Sequence, residues 1–350
     1  SLYNRMWLVG AAGAHVGMFP GLDGRTVVES LWLWVGFLVF VITMLAIDLG
    51  IFHREAHAVS VREAATWTAV WVTLALLFCL LIFFFWDSVA PASAYTNGEA
   101  STVFLTAYII EQALSVDNMF VFVMLFTYFA VPAAYQHRVL FWGVIGAQIM
   151  RGLLIVAGAA LISRFAWILY IFGAFLIFTG YKMAFMDGGE VKPEKNPVLR
   201  WVRRFVPVTD YYEGQSFFVR HQGILMATPL LLVLVVVETT DLVFALDSIP
   251  AIFAVTQDPF LVFTSNIFAI LGLRSLYFLL AGVMDKFHFL KLGLAVVLTF
   301  VGVKMVSHDF LHISTALSLA VVAGVIALSI GASLIFPPRD RVALRDAPAD

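Results

Sequence analysis

Two acidic stretches decide the fold class, and they read Glu238-Thr-Thr-Asp241-Leu-Val-Phe-Ala-Leu-Asp247-Ser248-Ile-Pro250 and Glu111-Gln-Ala-Leu-Ser-Val-Asp117-Asn118. Both lie inside apolar runs that are long enough to be membrane helices. Carboxylates at membrane depth are costly in free energy, so they persist mainly where they bind or move an ion. The two stretches therefore predict a membrane protein that binds or moves cations.

The two stretches also resemble each other. Aligning Asp241 with Glu111 places Asp247 on Asp117, with the same separation between the two acids in each copy. The copies fall on the third and sixth predicted spans, which cross the bilayer in opposite directions. Such a pair predicts an inverted-topology repeat, in which the substrate binds near the midplane between the two halves.

The composition excludes a soluble protein. The chain has 350 residues, of which 62% are hydrophobic and 13% are charged, whereas soluble domains carry about 25% charged residues. Only helices and closed barrels satisfy the backbone in lipid, and these apolar runs are too long and uniform for barrel strands. We therefore predict an all-α, polytopic helix bundle with the lipid bilayer as a partner. No nucleic-acid partner is expected, and the oligomeric state is left open.

A bilayer span needs about 20 apolar residues. Nine runs meet this requirement, at 31–52, 67–87, 101–129, 136–163, 166–186, 223–247, 260–284, 288–306 and 313–336. The domains that follow are an extracytoplasmic N-terminal segment at 1–30, spans one to five within 31–186, a cytoplasmic linker at 187–222, spans six to nine within 223–336, and a cytoplasmic tail at 337–350. An amphipathic piece is expected within the linker at 198–205.

The distribution of basic residues predicts the orientation. Of the 21 lysines and arginines, 15 fall in the loops and tail on one side of the predicted bundle, and four fall on the other. The positive-inside rule then places the C-terminus in the cytoplasm and the N-terminus outside. For a bacterial protein this predicts a multi-pass location in the inner membrane. The single cysteine, Cys79, excludes an intramolecular disulfide.

The acids are candidate metal ligands. Six residues correspond to about 600° of helical rotation, so Asp241 and Asp247 cannot share one face of a regular helix. Either each acid faces a different neighbour, or the helix opens locally, which Pro250 favours by freeing a carbonyl one turn upstream. Carboxylate, amide and carbonyl oxygens suit Mn²⁺, Ca²⁺ or Mg²⁺. The metal would be a transported substrate, and no cofactor is expected.

Two groups of residues are predicted to form the site. The metal ligands are Asp117, Asp247, Asn118, Glu111, Glu238 and Asp241. The gating or charge partners are Asp48, Gln148, Arg151, Ser248, Asn266 and Arg274. The alternative is that the acids form buried ion pairs with Arg151 and Arg274, and an arginine could also hold an empty transport site neutral.

Two other functions compete with transport, although no enzymatic activity is predicted. The first is an intramembrane aspartyl protease, in which Asp117 and Asp247 would form an acid dyad. Presenilin-like enzymes carry Tyr-Asp and Gly-x-Gly-Asp, whereas the contexts here are Val-Asp and Leu-Asp. The second is a metal sensor or scaffold that does not transport. Within transport, Ca²⁺ is the main competitor of Mn²⁺.

The motifs at 111–118 and 238–251 strongly resemble those of the TerC family of integral membrane proteins, and most of all its Alx-type branch. The resemblance continues through Met119-Phe120, Tyr135-Gln-His-Arg138 and Thr264-Ser-Asn266, and it covers roughly residues 40–335. It implies an Mn²⁺ exporter that prevents manganese overload, with the six acidic and amide residues above as its transport site. The choice of manganese and the outward direction come from this resemblance alone.

Overall fold

The computed structural model describes residues 24–50, 59–91, 93–165, 167–185, 197–221, 223–281, 289–307, 310 and 313–336, without the side chains of 24–30, 48–50, 117, 197 and 203. Within these ranges the chain forms helices and one hairpin. The elements are α1 (Gly24–Gly50), α2 (Val61–Val89), α3 (Asn97–Tyr128), α4 (Ala133–Arg164), α5 (Ile168–Phe185), α6 (Pro197–Phe205), β1 (Phe218–His221), β2 (Ile224–Ala227), α7 (Pro229–Phe253), α8 (Pro259–Leu280), α9 (Leu290–Val306) and α10 (Thr315–Ile335).

The predicted membrane helix bundle is confirmed. In the described part of the chain, seven helices are long and apolar enough to cross a bilayer: α2, α3, α4, α5, α7, α8 and α10. Of the other predicted spans, the first overlaps α1, whose apolar part is Leu31–Ile47, and the eighth overlaps α9, which has 17 residues. The count of nine spans and the inverted repeat stay predictions.

Two helices begin at residues other than the predicted boundaries, and the division into domains stays a prediction. Helix α1 begins at Gly24, within the segment predicted to be extracytoplasmic. The sixth predicted span begins at residue 223, whereas α7 begins at Pro229 because residues 224–227 pair with β1 in an antiparallel hairpin. Proline suits the first helical position, since its missing N–H has no partner there in any helix. Residues 1–23 and 337–350 lie outside the described part.

Helix α7 does not open at Pro250, so the predicted local opening is wrong. The helix is continuous from Pro229 to Phe253, and its last four residues are all buried. Proline removes one backbone hydrogen bond, but tertiary packing of the buried turn can hold a helix that local propensity disfavours. Helix α6 matches the amphipathic piece expected at 198–205, with Leu199 buried and Trp201 exposed.

The bundle has a buried centre and an apolar outer ring. In the apolar stretch of α8, 89% of the residues are buried inside the bundle, whereas only 17% are buried in the apolar stretches of α2 and α10. Helix α8 packs against α2, α3 and α4, while α7 packs against α3, α4 and α5. Polar side chains on α3, α4, α7 and α8 therefore meet in the interior, away from the lipid-facing surface.

Helices α5 and α9 approach each other along glycines. A Cβ atom placed on Gly302 would lie 2.7 Å from the carbonyl oxygen of Gly173, and one placed on Gly180 would lie 2.7 Å from the carbonyl oxygen of Ala295. Small residues allow helix backbones to come this close in membranes. This close packing fixes the position of α5, and one side chain of α5 contacts the candidate site described below.

Candidate functional site

The site is centred on Arg151 of α4, which is fully buried. Its Nε and Nη2 atoms donate to the two carboxylate oxygens of Asp241 on α7, at 3.1 and 2.9 Å. Its Nη1 atom donates to Oε1 of Glu111 on α3, and lies 3.3 Å from the hydroxyl oxygen of Ser248 on α7. One guanidinium thus joins three helices through two buried carboxylates.

The two carboxylates at Arg151 are the pair that the sequence alignment superposes. Glu111 and Asp241 occupy matching positions, six residues before Asp117 and Asp247, and the structure brings them to the same cation. The buried ion pair that competed with metal binding in the sequence is therefore present for these two acids. Their role as metal ligands stays a prediction.

Asp247 lies on a different side of α7. Thr179 of α5 donates a hydrogen bond of 3.1 Å to its carboxylate, and Lys182 interacts with it electrostatically. Of the two arrangements that helical geometry allowed, the structure has the first: Asp241 faces α4 and Asp247 faces α5. Thr179 was not predicted as a site residue. A threonine beside a glycine, Gly180, in an apolar helix nevertheless indicates a contact with a neighbouring helix.

Glu238 lies against a glycine of α4. Its half-buried carboxylate occupies the space where a side chain on Gly146 would be, and its Oε2 atom is buried without a hydrogen-bond partner in the described part. Gly146 was not among the predicted residues, because a glycine within an apolar run signals nothing until its neighbour is known.

We predict that Gly146→Ala displaces Glu238 and lowers cation flux by about 10-fold, the effect typical of disturbing groups that orient metal ligands. The measurement is Mn²⁺ flux into proteoliposomes. Gly143→Ala is the matched control, because its new Cβ atom would meet only Val237 of α7, at 3.4 Å. Equal flux in the two variants would show that Glu238 is not part of the transport site.

The buried interior of the bundle holds further polar atoms that have no hydrogen-bond partner among the described residues. They include Oε2 of Glu111, Oγ of Ser115, Nδ2 of Asn118, Nε2 of Gln148 and both amide atoms of Asn266. Buried polar atoms are nearly always satisfied in proteins. Their concentration on α3, α4 and α8 indicates a region built to receive a polar or ionic ligand.

Arg274 of α8 contacts a histidine of α4. Its Nη1 atom lies 3.1 Å from Nε2 of His137 on α4, a residue that was not predicted. The described part contains no group of three or more His, Cys, Asp or Glu side chains placed to hold a metal ion. The side chains of Asp48 and Asp117, both predicted site residues, lie outside the described part.

Comparison with known proteins gives a consistent family assignment. Residues 96–341 match the integral membrane protein TerC family. An uncharacterized membrane protein of Myxococcus xanthus is 50% identical over 92% of this chain and 98% of its own length. The protein of Escherichia coli K12 provisionally named the membrane-bound redox modulator Alx is 54% identical over 85% of this chain and 92% of its own. No solved structure matches the chain.

Proposed function

The chain belongs to the TerC family of integral membrane proteins, and from that premise we propose that it exports Mn²⁺ from the cytoplasm across the bacterial inner membrane. The observation that carries the proposal is the meeting of Glu111 and Asp241 in the buried centre of a membrane helix bundle. Ionisable residues placed there are costly and usually mark ion pathways.

The chemistry of the site supports a hard divalent cation. Glu111, Asp241 and Ser248 offer only oxygen atoms, and so do Glu238 and Asp247 nearby on α7. Such oxygens suit Mn²⁺, Ca²⁺ and Mg²⁺. The preference for Mn²⁺ and the outward direction rest on the family resemblance, and Ca²⁺ is the alternative substrate.

The packing of the helices supports transport by alternating access. If α3, α4 and α5 correspond to α7, α8 and α9, a two-fold axis would exchange the pair α3 and α8 with the pair α7 and α4. Both pairs are in contact, as are α5 and α9, which the same axis would relate to each other. Rocking of one half against the other around the buried acids would then expose them to each side in turn.

Export of a divalent cation against the membrane potential needs a driving force. Moving two charges against 100 mV costs about 4.6 kcal/mol. Protons that return on the site carboxylates would offset this cost, so we propose proton antiport. Mn²⁺ flux that is indifferent to an imposed proton gradient would contradict this part of the mechanism.

The name of the E. coli relative describes redox modulation. A disulfide within one chain requires two cysteines, and this sequence has only Cys79. A role in manganese balance would connect the chain to redox state without such a disulfide, because Mn²⁺ is itself a redox-active transition metal.

The test of this function is cation flux in proteoliposomes, with Mn²⁺, Ca²⁺, Mg²⁺ and Zn²⁺ compared. We expect Mn²⁺ flux in the unmodified protein, and its loss by at least about 30-fold in Asp247→Asn, since removing the charge of a half-buried ligand of the ion costs about 2 kcal/mol or more. Asp87→Asn is the matched control, because Asp87 is exposed at the end of α2.

Other outcomes would redirect the assignment. Faster flux of Ca²⁺ than of Mn²⁺ would identify a calcium transporter. Binding of Mn²⁺ without flux of any ion would contradict the exporter and favour a metal sensor or scaffold.

A further inference from the structure

The guanidinium of Arg151 occupies the place where a substrate cation would meet the most acids. It contacts three of the four carboxylate oxygens of Glu111 and Asp241, together with the hydroxyl oxygen of Ser248. We propose that Arg151 is a tethered competitor of the substrate, and that a divalent cation binds Glu111, Asp241 and Ser248 by displacing it. This inference rests on the proposed function.

The charges favour displacement by a divalent ion. When both carboxylates are ionised they carry a charge of −2 and Arg151 supplies +1, so this buried group of side chains then keeps an excess of one negative charge. A divalent cation at the same place balances both carboxylates. Since uncompensated charge is expensive away from water, the exchange lowers the electrostatic free energy of the two carboxylates, and the displaced guanidinium has to move to water or to another acid.

The same charges make Arg151 a determinant of specificity. A monovalent ion would bring the same charge as the guanidinium that it displaces. It would also have to replace the bidentate hydrogen bonds to Asp241, which are among the strongest that a side chain makes. Na⁺ and K⁺ therefore gain nothing at this site, and Arg151 selects against them.

Arg151 does not supply hydrogen bonds to all of the carboxylate oxygen atoms at the site. The Oε2 atom of Glu111 is buried and accepts no hydrogen bond within the described part, and the contact with Ser248 is long, at 3.3 Å. Divalent cations of the Mn²⁺ and Ca²⁺ class take six or more oxygen ligands. A bound cation can thus use an oxygen atom that Arg151 leaves without a partner.

The experiment compares Mn²⁺ affinity and stability in the purified full-length protein. Arg151→Gln removes the competing charge, and we expect it to bind Mn²⁺ about 10-fold more tightly or better, as follows from the loss of charge-assisted hydrogen bonds that Mn²⁺ must otherwise break. Na⁺ should then compete with Mn²⁺ in this variant but not in the unmodified protein. Arg164→Gln, at the exposed end of the same helix, is the matched control.

A second variant guards against loss of folding. Arg151→Lys keeps the positive charge, but an ammonium cannot reproduce the planar fork that pairs with Asp241. We expect this variant to bind Mn²⁺ more tightly than the unmodified protein and less tightly than Arg151→Gln. Added Mn²⁺ should also raise the thermal midpoint of both variants by more than that of the unmodified protein, since tighter ligand binding stabilises the folded state further.

The outcomes separate this inference from the proposed function. If the unmodified protein transports Mn²⁺ and the folded variants bind it no more tightly, the competitor role is wrong and the exporter stands. If the unmodified protein neither binds nor transports Mn²⁺, the proposed function fails and this inference fails with it.

Discussion

Asp241→Asn is expected to lower Mn²⁺ flux by at least about 30-fold, with little change in thermal stability. The loss of flux follows because truncating one member of a buried charged pair typically costs about 2–5 kcal/mol of binding free energy, and each 1.4 kcal/mol is about tenfold. Stability is retained because Arg151 keeps Glu111 as a partner of opposite charge, so no buried charge is left uncompensated.

This pair of measurements separates a ligand from a structural partner. If Asp241 serves only to anchor Arg151, the substitution should lower the thermal midpoint, and the protein that remains folded should still transport Mn²⁺. If Asp241 is a ligand, flux is lost from folded protein. Asp210→Asn makes the same chemical change at an exposed position in the linker, and its flux should equal that of the unmodified protein.

Gly302→Val is expected to destabilise the protein by about 3 kcal/mol, at the upper end of the usual cost of overpacking. The first added carbon would lie 2.7 Å from the carbonyl oxygen of Gly173 and 2.9 Å from the backbone nitrogen of Ile177. These are backbone atoms of α5, so no change of rotamer relieves the clash. The two helices have to separate.

Separation of the two helices would disturb the site, because Thr179 of α5 donates a hydrogen bond of 3.1 Å to Asp247. We expect a lower midpoint in a thermal or denaturant unfolding assay and reduced Mn²⁺ flux in the remaining folded protein. Gly331→Val is the matched control, because a Cβ atom on Gly331 of α10 would meet nothing within 4 Å. A Gly302→Val protein as stable as the Gly331→Val protein would show that the glycine contact is dispensable.

The positions of most helices could be predicted from the sequence because they depend on local chemistry. A long apolar run in lipid must satisfy its own backbone, and a helix does so within the segment. The hairpin at 218–227 was missed because its apolar residues Ile224 and Leu225 continue the run of α7. Only the pairing with β1 assigns them to a strand. Likewise, the continuity of α7 at Pro250 depends on burial of its last turn.

The sequence by itself determined that the protein is a helical membrane protein with two matching pairs of acids, since apolarity and spacing are read along one chain. Only the tertiary structure decided what each acid faces: Glu111 and Asp241 share Arg151, Asp247 meets Thr179, and Glu238 lies against Gly146. The physical reason is that each of these contacts joins two helices. Their relative rotation and approach are set by the packing of the bundle, which no single segment encodes.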